Sequence, residues 1–288
     1  MLAALLLLGV TVVWGVTFVQ VKDAVAIYPL FAFLTVRYAI ASATLAPVAA
    51  FRLRGLGRSG LFAGGVLGVL LAAGSALQTA GLERTTVTNT GFITGLYVLL
   101  TPLFALALFR TRITRELWLA VALALLGLTL LAGVPSSSAV GDLLVLLSTS
   151  AQALQIVMVE RYANRYDAVG LTFVQMLAAL VGFAVIAVAL GDLSVPHGTT
   201  VWAALLVTGV FASALAYLIQ IWAQKRISAT RIAIIFSLET VWAGVFGYLL
   251  DGDRLGVLGF TGCALIFAAI VVAEPFAAET LRRFVRRR

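Results

Sequence analysis

Glu239 is the one charged residue in "IIFSLETVWAGVFGYLL" (234–250). A carboxylate in such apolar surroundings can exchange a proton, hold a ligand's amine, or hydrogen-bond to a neighbouring element and fix its backbone. Arg37 is likewise the one charge in the run 29–51. A guanidinium there can attract a ligand carboxylate through its planar fork. Its other options are a buried carboxylate partner or an outward reach to water along its own apolar stem. Uncharged polar side chains accompany these two in stripes spaced by three and four residues, the rhythm of one helix face. One stripe holds Thr86, Thr90, Thr94, Tyr97 and Thr101, a second Ser213, Tyr217, Gln220 and Gln224, and a third Ser148, Gln152 and Gln155. Trp14 with Thr17, Ser75 with Gln78, and Glu239 with Ile235 and Trp242 extend the pattern. Such stripes either hydrogen-bond between helices or line a shared polar cavity. Trp14 is then a cavity wall or, alternatively, a ring in the belt at a membrane surface. Amides and aromatic rings suit zwitterionic or weakly polar organic solutes. Phosphate esters would call for several Lys or Arg, and only Arg37 lies at depth. The candidate binding residues are therefore Trp14, Arg37, Gln78, Thr94, Tyr97, Gln152, Gln155, Tyr217, Gln220, Glu239 and Trp242.

The parts for catalysis or metal binding are missing from this inventory. Cys263 is the single cysteine and His197, beside Pro196, the single histidine. Neither HExxH nor Gx₄GK[ST] occurs. "GLGRSG" (55–60) fits GxGxxG, but that fingerprint requires a preceding strand and a following helix N-terminus. Here a long apolar run precedes it and Arg52, Arg54 and Arg58 surround it, so a tight basic loop between helices is expected. No catalytic residue, metal site or cofactor is expected.

The elements that must position these groups follow from composition. Of 288 residues, 62% are hydrophobic and 11% charged, against ~45–50% and ~25% in an average soluble domain. Lipid must therefore serve as part of the solvent. A membrane-spanning helix needs ~20 apolar residues, and ten such runs are present: 2–21, 29–51, 61–82, 86–109, 116–134, 141–159, 168–190, 200–223, 229–250 and 255–273. Pro29, Pro135, Pro196 and Pro275 punctuate their edges. The first run lacks a charged segment before it and exceeds a signal-peptide core, so it is expected to stay in place.

Basic residues set the expected orientation, since Lys and Arg accumulate in cytoplasmic loops. With the N-terminus inside, 16 of the 20 Lys and Arg lie in inner loops and the tail, and only Lys22, Arg84 and Arg254 lie outside. Both termini are then cytoplasmic in a bacterial-type inner (plasma) membrane. The net charge of +8 becomes a matter of topology, plus a tail "RRFVRRR" (282–288) facing anionic lipid. Nucleic-acid binding is not expected, and oligomeric state is left open. Gly64, Gly68, Gly256, Gly259 and Gly262 are expected where helices pack closely.

A shift of 142 residues superposes Gln78 on Gln220, Thr88 on Thr230, Ile93 on Ile235, Leu96 on Leu238 and Arg112 on Arg254. The same shift places Tyr97 on Glu239. Because five spans is an odd number, a doubled five-helix unit must enter the membrane upside down the second time. The expected fold is an all-α membrane protein of ten transmembrane helices in two inverted five-helix repeats, 1–135 and 140–274, followed by a basic tail at 275–288.

"VVWGVTF" (12–18), "TNTGFITGLYVLLTPLF" (88–104) and "ISATRIAIIFSLETVWAGVFGYLLDGDRLGVLGFTG" (227–262) resemble the drug/metabolite transporter (DMT) superfamily, specifically its EamA family. The resemblance implies a transporter of small organic metabolites, most often an exporter. Within the family, the subtype the resemblance suggests is the YddG-type exporter of amino acids, aromatic ones included. Two positions depart from the family pattern. Thr240 stands where a Pro usually follows the Glu, which would remove a helix irregularity, and Asp253 replaces a usual Glu. The expected activity is export of neutral amino acids by alternating access through a central cavity. Other solutes, such as nucleosides or organic cations, are the alternative cargo. A channel or a membrane-embedded enzyme is the alternative class.

Overall fold

The computed structural model describes residues 2–131, 138–251 and 256–273. All regular structure among them is helical. Pro135, Asp253, Arg254, Pro275 and the tail 275–288 lie outside the described residues.

Helices α1 (Leu2–Val25), α2 (Leu30–Arg52) and α3 (Gly57–Leu82) are single rods. The next expected span is divided into α4 (Val87–Gly95) and α5 (Tyr97–Phe109). Then follow α6 (Arg115–Leu131), α7 (Ala139–Ala163) and α8 (Ala168–Leu190). The eighth span is α9 (Thr199–Leu206), a π-helical segment Val207–Leu215, and α10 (Ala216–Gln224). The ninth is α11 (Ala229–Phe236), α12 (Leu238–Phe246) and a π-helical turn Gly247–Asp251. α13 (Val257–Ala273) is the tenth. Eight of these spans are long and apolar enough to cross a bilayer. α6 and α13 hold 17 residues each. Their expected spans, 116–134 and 255–273, run into residues outside the described set.

Helix starts follow local chemistry. Thr86, Ser138 and Asp167 each accept the backbone N–H three residues on, which satisfies a donor that the first turn leaves free. Gly191 closes α8 at φ 71°, where only glycine turns without a steric penalty.

The absence of proline at Thr240 does not give an unbroken ninth span. Ser237 interrupts it: its hydroxyl donates to the Ile234 carbonyl at 2.6 Å, and the Thr240 amide turns back to the Ser237 carbonyl. Serine hydroxyls that capture a carbonyl of the preceding turn bend helices in this way. The fourth span is interrupted at Leu96, where the Leu99 amide bonds the Leu96 carbonyl. Thr240 instead donates to the Gly91 carbonyl at 2.9 Å, tying the two interrupted spans together.

α3 packs on α7 and α8, α2 on α8 and the first π-helical segment, α1 along α12, and α6 on α13. The α1–α12 approach depends on Gly15, whose hypothetical Cβ would meet the Cβ of Trp242 at 2.2 Å. Val69, Val185 and Phe260 face outward, exposed, as suits a bundle whose surroundings are hydrocarbon and whose backbone polar groups are satisfied within helices.

Candidate functional site

Two neighbouring chambers stand out among the described residues of the bundle. The wider spans about 540 Å³ of empty space and the narrower about 300 Å³, each in part continuous with solvent. Trp14, Gln152 and Tyr217 line both, so they form the partition between them. The wider chamber runs toward the junction of α3 and α4, reaching Val21 and Leu82. Its polar wall is Arg37 on α2, Ser75 and Gln78 on α3, and Glu239 on α12. The narrower chamber runs the other way, to Leu71, Ile156 and Phe236, with Gln155 and Gln220 at its margin.

Trp14 faces inward. Its ring meets Phe236 edge-on at 4.7 Å between centroids and Tyr217 at 5.7 Å. Its Nε1 donates to the Ala212 carbonyl, inside the π-helical segment, at 2.8 Å. An indole held by such a bond and by two rings stands as a wall of both chambers. π-Helical insertions frequently accompany functional sites because they displace side chains by one position. Here the insertion sits immediately before Tyr217.

Arg37 donates from Nε to the hydroxyl of Ser213 at 2.9 Å. Among the described residues no carboxylate pairs with it, so the alternative of a buried ion pair is not what the structure contains. Its guanidinium also lies 5.6 Å from the Tyr38 ring centroid, and Tyr38 is held in turn by Ser75 at 2.6 Å. Glu239 is 6% exposed. Its Oε2 accepts from the Tyr97 hydroxyl at 3.2 Å. The two residues that the 142-residue shift superposed therefore touch one another.

A second polar group lies beside the narrower chamber. Gln155 donates to Gln175, Gln220 donates to both Gln155 and Gln224, and Gln224 donates to the Ile156 carbonyl, all within 3.1 Å. All four are buried. This chain of amides clamps α7, α8 and α10 together, so Gln155 and Gln220 serve interhelical bonding as well as lining the chamber.

Of the eleven candidates, nine line a chamber. Thr94 and Trp242 line neither. Thr94 is 1% exposed and accepts from Gln78 Nε2 at 3.1 Å, so it orients a wall residue from behind. Trp242 is pressed against Gly15 and stacks obliquely on Phe246 at 6.3 Å; the tight α1–α12 approach takes up its side of the helix. Three contributors escaped the sequence reasoning. Gln175 is the one amide of the run 168–190, and the rule applied to Gln155 would have found it. Tyr38 adjoins Arg37 in sequence. Phe236 carries no polar signal, and only packing reveals it.

The structure is an all-helical bundle of apolar helices long enough to cross a membrane, with a polar, aromatic-walled cavity between them. The sequence profile of the EamA-like transporter family matches residues 1–133 and, separately, 139–273. The chain belongs to that family, within the DMT superfamily, and is a membrane transporter. An uncharacterized transporter of Archaeoglobus fulgidus is 32% identical over 265 residues, covering 92% of this chain and 83% of the relative. The uncharacterized transporter YyaM of Bacillus subtilis (strain 168) is 25% identical over 288 residues, covering 94% and 92%. A crystal structure of a protein 18% identical superposes with a TM-score of 0.74 over 96% of this chain and 98% of that one, a likeness of fold.

Proposed function

We propose that this transporter exports neutral amino acids, aromatic ones included, by alternating access between two inverted five-helix repeats. One observation carries the proposal: two chambers, stacked end to end, meet at a partition of Trp14, Gln152 and Tyr217. A solute held at that partition is exposed to one side of the membrane when the wider chamber is open. It is exposed to the other side when the narrower chamber widens at the expense of the first. The repeat arrangement is supported by the two separate family matches and by interruptions at Leu96 and Ser237, which lie one position apart in the repeat register. The Tyr97–Glu239 contact supports it further, because positions equivalent in two repeats meet only near the axis relating them. Exchanging the repeats also carries the α1–α12 packing onto that of α4 and α5 against α7.

With both termini cytoplasmic in an inner membrane, the wider chamber opens outward. The cavity wall is amide, hydroxyl and aromatic, with one cation and one anion, which suits zwitterions better than phosphate esters. Organic cations are the second reading, favoured by the cavity-lining carboxylate of Glu239. The test is counterflow in liposomes with labelled amino acids, nucleosides and organic cations. Saturable, trans-stimulated movement of neutral amino acids is expected. Saturable transport of cations alone would replace the first reading with the second. Flux that neither saturates nor shows counterflow would establish a channel instead.

A further inference from the structure

The wider chamber presents a guanidinium and a carboxyl group that are not paired with each other. Arg37 and Glu239 both face it. No ion pair joins them among the described residues. Arg37 is held at its inner nitrogen, Nε, by Ser213, which leaves the two terminal nitrogens of the fork for another acceptor. Glu239 is held at one oxygen, Oε2, by Tyr97. Each group is thus oriented by a neutral partner and still open on its cavity side. Beyond the partition, the narrower chamber is walled by Leu71, Ile156, Phe236 and the rings of Trp14 and Tyr97.

We infer that the site reads a zwitterion at both poles: Arg37 takes the carboxylate, Glu239 takes the ammonium, and the narrower chamber takes an apolar or aromatic side chain. This rests on the amino-acid reading above and adds which residue recognises which group. The physics is that of paired desolvation. A charge left unpartnered in a low-dielectric cavity is costly, and each pole is satisfied only by a ligand group of opposite sign. An amine without a carboxylate leaves Arg37 unmatched, and a 2-oxo acid leaves Glu239 without its ammonium. The guanidinium fork matches a carboxylate in two parallel bonds, a geometry a lysine cannot reproduce. Gln152, which lines both chambers and is bonded to Ser148 at 2.9 Å, borders the ligand between its polar end and its side chain.

The test uses purified full-length protein in liposomes, with labelled L-phenylalanine as the probe and phenethylamine and phenylpyruvate as competitors. The parent should move phenylalanine and be inhibited poorly by either competitor. Arg37→Gln should raise the phenylalanine KM by roughly 30-fold or more, the usual loss for one partner of a buried charge pair. It should at the same time narrow the preference for phenylalanine over phenethylamine. Glu239→Gln should instead narrow the preference over phenylpyruvate. Arg37→Lys, which keeps the charge, should raise KM less than Arg37→Gln and guards against a folding defect. An Arg37→Gln protein that elutes as the parent does, with its KM within about threefold of the parent's and its preferences intact, would overturn the assignment while leaving amino-acid transport standing. A parent that moves no amino acid would instead overturn the amino-acid reading on which the assignment rests.

Discussion

Replacing Gly15 with alanine tests how closely the cavity depends on one helix crossing. The new methyl would sit 2.2 Å from the Cβ of Trp242, 3.0 Å from its carbonyl carbon and 3.1 Å from the Ala243 nitrogen. Ordinary contacts of a Cβ begin at 3.4 Å, so α1 and α12 must separate locally by about 1.2 Å. No rotamer change relieves the clash, because Cβ and backbone atoms do not move with side-chain torsions. Overpacking of this kind costs about 1–3 kcal/mol. At about 2–4 °C per kcal/mol for a chain somewhat smaller than this one, the thermal midpoint should fall by roughly 2–12 °C. Trp14 adjoins the displaced residue and lines both chambers, so the transport KM should also rise. The assay is tryptophan-fluorescence unfolding in detergent, with counterflow on the same preparation. Gly9→Ala, on the same helix with nothing within 4 Å of its Cβ, is the control and should hold or raise the midpoint, since alanine is the better helix former. A Gly15→Ala protein as stable as the Gly9→Ala protein, with unchanged KM, would refute the close crossing.

Three further outcomes are expected. Glu239→Gln keeps an acceptor for the Tyr97 hydroxyl, so it should unfold at the parent's temperature yet lose any proton-driven component and show a flattened pH dependence, while Glu239→Ala is destabilised. If Glu239→Gln transports like the parent at every pH, the carboxylate is a structural fixture. Gln152→Ala and Tyr217→Ala remove two parts of the partition and should change affinity or selectivity in protein that still purifies as one species; unchanged kinetics with every solute would move the pathway elsewhere. In a Cys263→Ser background, single cysteines at positions 138 or 197 should react with an impermeant reagent on intact cells, and those at 56 or 286 should not; the reverse pattern would invert the proposed orientation.

The spans were legible in the sequence because hydrophobicity summed over ~20 residues is a local property that no partner can alter. The depth of Arg37 and Glu239 followed from the same count, and helical periodicity placed Trp14, Gln152 and Tyr217 on faces that turn inward. Partners were another matter. Periodicity names a face without naming what lies opposite, so Arg37 meeting Ser213 rather than a carboxylate came only from the tertiary structure. Thr94 and Trp242 share helical faces with true lining residues, yet one is covered by Gln78 and the other by the α1 crossing at Gly15. The break at Ser237 also ran against the local expectation raised by Thr240, because a hydroxyl bonding into the preceding turn and a bond to Gly91 on another span shape that backbone. The sequence by itself determined which segments form long apolar helices and which polar groups go with them. The tertiary structure decided which of those groups face one another, since that depends on distances between helices set by small residues far apart in the chain.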